Sequence, residues 1–420
     1  MKTRRLTLLA LLGLVACSDD GTTPADTAAP KDGGHDLAGD ATPTTDHGQG
    51  EAAPPADSGP DGPKQPAHWT TVSGTAPAVI NHTATLLADG RVLIVGGQTH
   101  EPMKSPVPTG EAYLYDPGQD AVTPAGSLTT ARYHHTATLL DDGRVLIAGG
   151  STGASTHLDS AEIFDPSKPS ASAWSAGPAL PSVRGSHTAT RLSGGKVLLI
   201  GGEGTSGELS SMVIFDPSSN GWMAPTAVLK KPRTAHSATA LQNGKIFIAG
   251  GSDGTYYTSS AEVYDPSTGT TTLLGASLSK GRLRHTADLL PGGKVLIVGG
   301  YCGMMCTITS DDLYDPATDT MAPISHLGDP PAFHASAVLK DGRVLVSGGM
   351  TDVSTGKGTN KVAAFTTSGG GMWQQQPVMA SPRYRHTATT LADGSVLVVG
   401  GQKEDSSSVP FVGFAERFYP

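Results

Sequence analysis

The chain repeats itself seven times. Glycine pairs begin at 96, 149, 201, 250, 299, 348 and 400, and a histidine stands 14 residues before each: His82, His135, His187, His236, His285, His334 and His386. A period near 50 residues makes each unit one supersecondary element that buries its apolar faces against neighbouring copies. Between histidine and glycines runs a segment such as HTATLLADGRVLIVGG, two apolar runs split by a turn. The turn dipeptide is Asp-Gly at 89, 142, 341 and 393, Asn-Gly at 243, and Gly-Gly at 194 and 292. Those pairs predict a type I′ hairpin, with both central residues at positive φ. A variable stretch follows each glycine pair, then a strand ending in Asp-Pro, as in AEIFDP (161–166), AEVYDP (261–266) and DDLYDP (312–317). Trp174, Trp222 or Trp373 comes next in three units. Each unit therefore reads as four short strands, a to d, in a meander without helical periodicity. Abundant glycine (54) and proline (31) with only 16% charged residues exclude coiled coils and helical solenoids.

The unit resembles the kelch repeat, whose copies are the four-stranded blades of a β-propeller. The elements that carry the resemblance are the strand-a histidine, the Gly-Gly closing strand b, the Tyr/Phe-Asp-Pro after strand c and the strand-d tryptophan. An arginine stands three residues before the histidine at 132, 184, 233, 282 and 383, but Val79 and Pro331 replace it in the first and sixth copies. The sixth copy also has Thr366-Thr367 in place of Asp-Pro. The resemblance spans 68–420 and implies an all-β, seven-bladed propeller of four-stranded blades. The last unit stops at its strand-c position, Ala415 to Pro420, and lacks strand d. An orphan segment, His68 to Val72, precedes the first unit. Its Trp69 lies 13 residues before His82, the spacing of Trp174 to His187 and of Trp373 to His386. The orphan is therefore expected to supply the outer strand of the seventh blade and close the ring, removing both open sheet edges.

The first 67 residues have another character. Lys2, Arg4 and Arg5 precede an apolar run from Leu6 to Ala16, too short to span a bilayer and suited to an export signal. Its end, Leu14-Val15-Ala16-Cys17, resembles the lipobox of bacterial lipoproteins, which implies a signal peptide over 1–16 and lipid on Cys17. In that family Ser18 after the cysteine favours the outer membrane. Residues 18–67 hold ten acids against Lys31 and Lys64, with Leu37 the only large aliphatic residue. Such a stretch cannot offset its chain entropy by burial, so 17–67 reads as the lipidated cysteine followed by a disordered acidic linker. Subtracting both ends leaves 68–420 nearly neutral, at −4 of the chain's −9, and no nucleic acid is expected as a partner. Membrane contact is expected only through the lipid.

Residues shared by all seven copies most simply hold each copy together. The histidines are expected to bond between neighbouring blades, and the Arg-x-x-His and Gly-Gly motifs to be structural. No phosphate loop, HExxH or nucleophile elbow occurs, and no metal or cofactor is expected. Cys302 and Cys306, in Tyr-Cys-Gly-Met-Met-Cys, read as a local disulfide in an oxidising compartment. A soft Cu(I) site with Met304 and Met305 is the alternative. Galactose oxidase, a copper enzyme on a kelch-like propeller, makes the Tyr301-Cys302 pair notable, but its family takes one copper ligand from a domain that follows the propeller, and this sequence ends with the propeller. Length varies mainly in the b–c connectors, which share one end of the blades with the d–a connectors. Odd residues gather at that end, including His100, Glu101, Glu404 and Asp405. Tyr133, His157, Tyr256, Tyr257, Tyr301 and Tyr384 are the candidate ligand contacts there. The function expected is a binding module for a protein or glycan. The alternative is a carbohydrate-acting enzyme, similar to the sialic-acid mutarotases that use kelch propellers.

Overall fold

A computed structural model of the protein describes residues 65–420, apart from 75, 101–103, 226, 304, 305, 307, 329, 330, 351–354, 368–370 and 405–410. The signal sequence, Cys17 and the acidic linker up to Lys64 lie outside the described residues, as do Glu101, Met304, Met305 and Asp405.

The described residues form seven four-stranded antiparallel sheets, and the one helical segment among them is a single 3-10 turn at Ser170–Ser172. In the second sheet strands a to d are Thr136–Leu139, Val145–Ala148, Ala161–Phe164 and Trp174–Ala176. Strand b is buried along its whole length in every sheet, as in Val92–Val95, Val295–Val298 and Val396–Val399. These runs are β-branched and aliphatic because both faces of strand b are covered by neighbouring sheets. Leu93 and Val95 of the first sheet pack on Val145, Ile147 and Phe164 of the second. Val92, Ile94 and Tyr115 pack on Leu397 and Val399 of the last. Strand a of each unit touches strand a of the next, and that of the seventh touches that of the first.

The seventh sheet draws on both ends of the described region. His68–Thr71 pairs antiparallel with Glu416–Tyr419, setting Trp69 opposite Phe418. Trp69 lies tilted against Phe418 with centroids 5.0 Å apart, as Trp174 does against Phe164 at 4.9 Å and Trp222 against Phe215 at 5.2 Å. Each indole also donates to a carbonyl of the preceding sheet's outer end: Trp69 to Pro377, Trp174 to Ala125 and Trp222 to Pro178.

The a–b turns differ from the type I′ expectation. In the first unit the Gly90 N–H bonds the Leu87 carbonyl and the Leu87 N–H bonds the Arg91 carbonyl. Only Gly90 of its pair has positive φ, at 88°, whereas in the third unit both Gly194 and Gly195 do, at 90° and 81°. This is a three-residue loop closed by a left-handed glycine. The Asp89 carboxylate accepts the Arg91 N–H at 3.1 Å and the Arg91 guanidinium at 2.6 and 2.8 Å. The a–b and c–d turns share one end, where Lys196 pairs with Asp216, Lys245 with Asp265 and Lys294 with Asp315 at about 3 Å.

Candidate functional site

The repeated residues join one sheet to the next. The second glycine of each pair donates its N–H to the carbonyl at the arginine position of the following unit: Gly97 to Arg132, Gly150 to Arg184, Gly202 to Arg233, Gly251 to Arg282, Gly300 to Pro331, Gly349 to Arg383 and Gly401 to Val79. The acceptor is backbone, which explains why valine and proline serve at 79 and 331. A Cβ on Gly149 would lie 2.5 Å from the Arg184 carbonyl, at φ 59°, so only glycine fits this joint. Each histidine is buried and bonds through Nε2 to a hydroxyl of the preceding unit: His135 to Thr83, His187 to Thr136, His236 to Thr188, His285 to Ser237 and His334 to Thr286, all within 3.0 Å. His82 bonds Thr387 of the seventh unit at 3.0 Å. His386 has no such partner, because the sixth unit carries Ala335 there; it bonds Ser347 at 2.9 Å instead. Burial lowers these imidazoles to about 4 at His82 and about 3 at His135 and His285, so they are neutral.

The arginines are fully buried. Arg132 donates to the Gly149 and Ser160 carbonyls and pairs with Glu162 at 2.9 Å. Arg233 pairs with Glu262, Arg282 with Asp312 and Arg383 with Glu416. The acid stands three residues before the Asp-Pro aspartate. The unit of Arg184 has Val213 there, and burial without a carboxylate lowers Arg184 to about 10. Units with valine or proline at the arginine position have Tyr113 and Ala363 at the acid position. This pairing of arginine with acid across copies is readable in the sequence and was missed there.

Around that frame the b–c/d–a end gathers variable residues. The residue before each histidine, namely Asn81, His134, Ser186, Ala235, Arg284, Phe333 and Arg385, has φ between 50° and 57°. Backbone bonds link them from unit to unit, His134 N–H to Asn81, Ser186 to His134, Ala235 to Ser186, Arg284 to Ala235 and Arg385 to Phe333. Left-handed backbone at non-glycine residues costs about 1–3 kcal/mol each and collects at ligand clamps. The residue after each glycine pair bridges to the residue two before the histidine, as in Tyr133 with Ser151, Gly185 with Glu203, Leu283 with Tyr301 and Tyr384 with Gln402. Three variable columns thus line one mouth.

Of the sequence-predicted contacts, Tyr257, Tyr301 and Tyr384 join one arc. Tyr257 meets Tyr301 edge-on at 5.6 Å, Tyr301 meets Phe333 at 6.0 Å, and Phe333 meets Tyr384 at 6.4 Å. Arg385 lies over Phe333 at 5.1 Å and over Tyr384 at 5.4 Å. Tyr384 itself is fully buried, its hydroxyl accepting from Gln402 at 2.6 Å. It supports Arg385 from below and has no surface to offer a ligand. Tyr256 is the opposite case, 73% exposed on the loop outside the arc. Tyr133 stands on the other side, edge-on to His134 at 4.8 Å. Burial, then Glu203, raises its phenol, and Arg284 opposes them. His157 accepts or donates with Ser151 at 2.9 Å and lies 3.8 Å from Glu203. Cys302 and Cys306 are joined by a disulfide. Sequence reasoning missed Asn81, His134, Arg284, Phe333 and Arg385. Their signal is variability between the fixed arginine and histidine of each copy.

Four-stranded meanders joined inner strand to inner strand, with one variable mouth, define a kelch β-propeller. A model of the KLHDC2/KLHL20/DRC7 Kelch-repeats domain matches residues 81–300, just over half of the sequence, and the chain belongs to the kelch-repeat family. Among solved structures it is similar to a novel fungal alcohol oxidase of the AA5 family in complex with copper, with TM-score 0.67, 18% identity, and coverage of 85% of this chain and 77% of that one. At that identity the likeness is one of fold. No curated protein matches the chain. Among the described residues no three His, Cys, Asp or Glu lie close enough to hold a metal, and Cys302 is bonded to Cys306 in a disulfide.

Proposed function

We propose that the protein is an outer-membrane lipoprotein, anchored by lipid on Cys17, whose kelch propeller binds a glycan or protein at the b–c/d–a end. The propeller in this reading has seven blades and is closed by His68–Thr71. Support for closure comes from two bonds between the last unit and the first, Gly401 to Val79 and His82 to Thr387, and from the pairing of His68–Thr71 with Glu416–Tyr419 inside the seventh sheet. The observation that carries the binding reading is the set of seven left-handed residues before the histidines. Their backbone is held alike in every copy while their side chains differ, which is how a rigid scaffold presents a recognition surface.

A glycan array and a pull-down with the full chain, compared with the variant Phe333→Ala, test the binding reading. Ligand retained equally by both proteins counts against it. For the anchor, Cys17→Ser should move the protein from the membrane to the soluble fraction, and unchanged fractionation would place the anchor elsewhere. The enzymatic alternative, a sugar mutarotase or epimerase, draws on His157 and Glu203, an acid–imidazole pair 3.8 Å apart at this mouth. Polarimetry with reducing sugars would reveal it, and Glu203→Gln should then abolish the activity.

A further inference from the structure

The two arginines of the mouth are not used by the frame. Arg284 and Arg385 come from the fifth and seventh units, both at the left-handed position before the histidine. No carboxylate lies within ion-pair distance of either guanidinium among the described residues, whereas four of the five frame arginines each hold one. Arg284 donates from Nη2 alone, to His134 Nε2 at 2.9 Å and Ser186 Oγ at 3.3 Å. His134 can accept because burial and the nearby cations keep it neutral, well below the ordinary histidine value. Arg385 donates from Nη1 to Gln402 at 3.3 Å. The remaining guanidinium N–H groups of both have no acceptor among the described residues. The two cations also act on each other: burial first, then Arg385, lowers Arg284 to about 10. Two like charges held together with no carboxylate in contact are stable only because the fold fixes them, and an incoming anion would relieve both. Glu203, an acid of the same mouth, acts with Arg284 on Tyr133 but pairs with His157 at 3.8 Å and not with the guanidinium.

Beside the arginines lie two half-buried rings, Tyr301 and Phe333. Aromatic faces next to a fork of free donors suit a small ring that carries an anionic group. We propose that this mouth selects an acidic saccharide, with Arg284 and Arg385 receiving its carboxylate or sulfate and Tyr301 and Phe333 packing on its ring. The inference rests on the reading that this end binds ligand.

Isothermal titration of the full chain in detergent tests it, using trigalacturonate for carboxylate, a chondroitin-sulfate tetrasaccharide for sulfate, maltotriose as the neutral sugar and pentaglutamate as an acidic peptide. At least one acidic saccharide should bind, maltotriose should not, and added salt should weaken binding. Arg284→Asn and Arg385→Asn should each weaken binding about 10-fold or more, the range of a lost charged hydrogen bond. Asparagine tolerates the left-handed backbone, and an unchanged melting temperature certifies the fold. Arg385→Lys should fall between wild type and Arg385→Asn. Binding of maltotriose that survives both asparagine variants but not Phe333→Ala would overturn the anion assignment and leave the binding face standing. Pentaglutamate bound as tightly as either acidic saccharide would overturn the saccharide class. Failure of both acidic saccharides to bind overturns the proposal. Loss of binding on Lys245→Ala, at the opposite end, would overturn the face as well.

Discussion

Ser347 shows how one side chain answers another. Six of the seven histidines bond a hydroxyl on strand a of the preceding unit, and His386 cannot, because that residue is Ala335. The same unit carries serine at the end of strand b, where the others have valine, alanine or isoleucine, and its hydroxyl takes the bond. Ser347→Ala should therefore cost about 1–2 kcal/mol by orphaning a buried nitrogen, and Ala335→Thr in the same chain should restore most of it. Chemical denaturation of the two variants checks this, and an additive pair of losses would contradict it. The frame arginines give a second contrast. Arg233→Met strands Glu262, which is fully buried, and should cost about 3–5 kcal/mol. Arg184→Met strands no acid, since Val213 stands in its place, and should cost clearly less by the same measurement. Both relations could have been found by comparing the seven copies column by column. The pKa shift of Arg184 could not, because it depends on burial.

At the scale of the element, the outer strand His68–Thr71 is the one piece supplied from outside its own unit. Its tryptophan has an equivalent ring partner, Phe418 for Phe164, and the same kind of carbonyl acceptor as Trp174. Trp69→Ala should thus destabilise about as much as Trp174→Ala, roughly 3 kcal/mol for a tryptophan truncated to alanine. A loss near zero for Trp69 alone, with a normal loss for Trp174, would show that the segment does not seal the seventh sheet. The spacing from Trp69 to His82 makes this strand legible in the sequence. The a–b turn was misread at the same scale. Asp-Gly marks a hairpin correctly, but the loop holds three residues and not two, and in the fifth unit Gly292, without a side chain, also stays out of positive φ. Dipeptide identity does not report loop length.

At the scale of the molecule, the buried histidines make stability depend on pH. Their folded values lie below the ordinary 6.5, at about 4 for His82 and His334 and about 3 for His135 and His285, with His187, His236 and His386 also well below. The unfolded chain takes up these protons below 6.5 and the folded protein does not, so stability is full above 6.5 and is lost as pH falls toward 4. Seven such groups remove on the order of 10 kcal/mol within one unit below 6.5, comparable with the whole stability of a domain. Cooperative unfolding between about pH 6 and 5 is expected in tryptophan fluorescence, and a fold that persists at pH 4 would contradict it. The period, the hairpins, the inter-sheet histidines and the end that varies were all determined by the sequence, because a repeat writes its constraints seven times and constant columns must serve contacts common to every copy. Which variable residues meet was decided only by the tertiary structure. Arg284 and His134 are 150 residues apart, and Phe333 and Arg385 belong to different units. They come together because the sheets pack inner strand to inner strand and the residue before each histidine turns left-handed, a geometry that no single copy encodes.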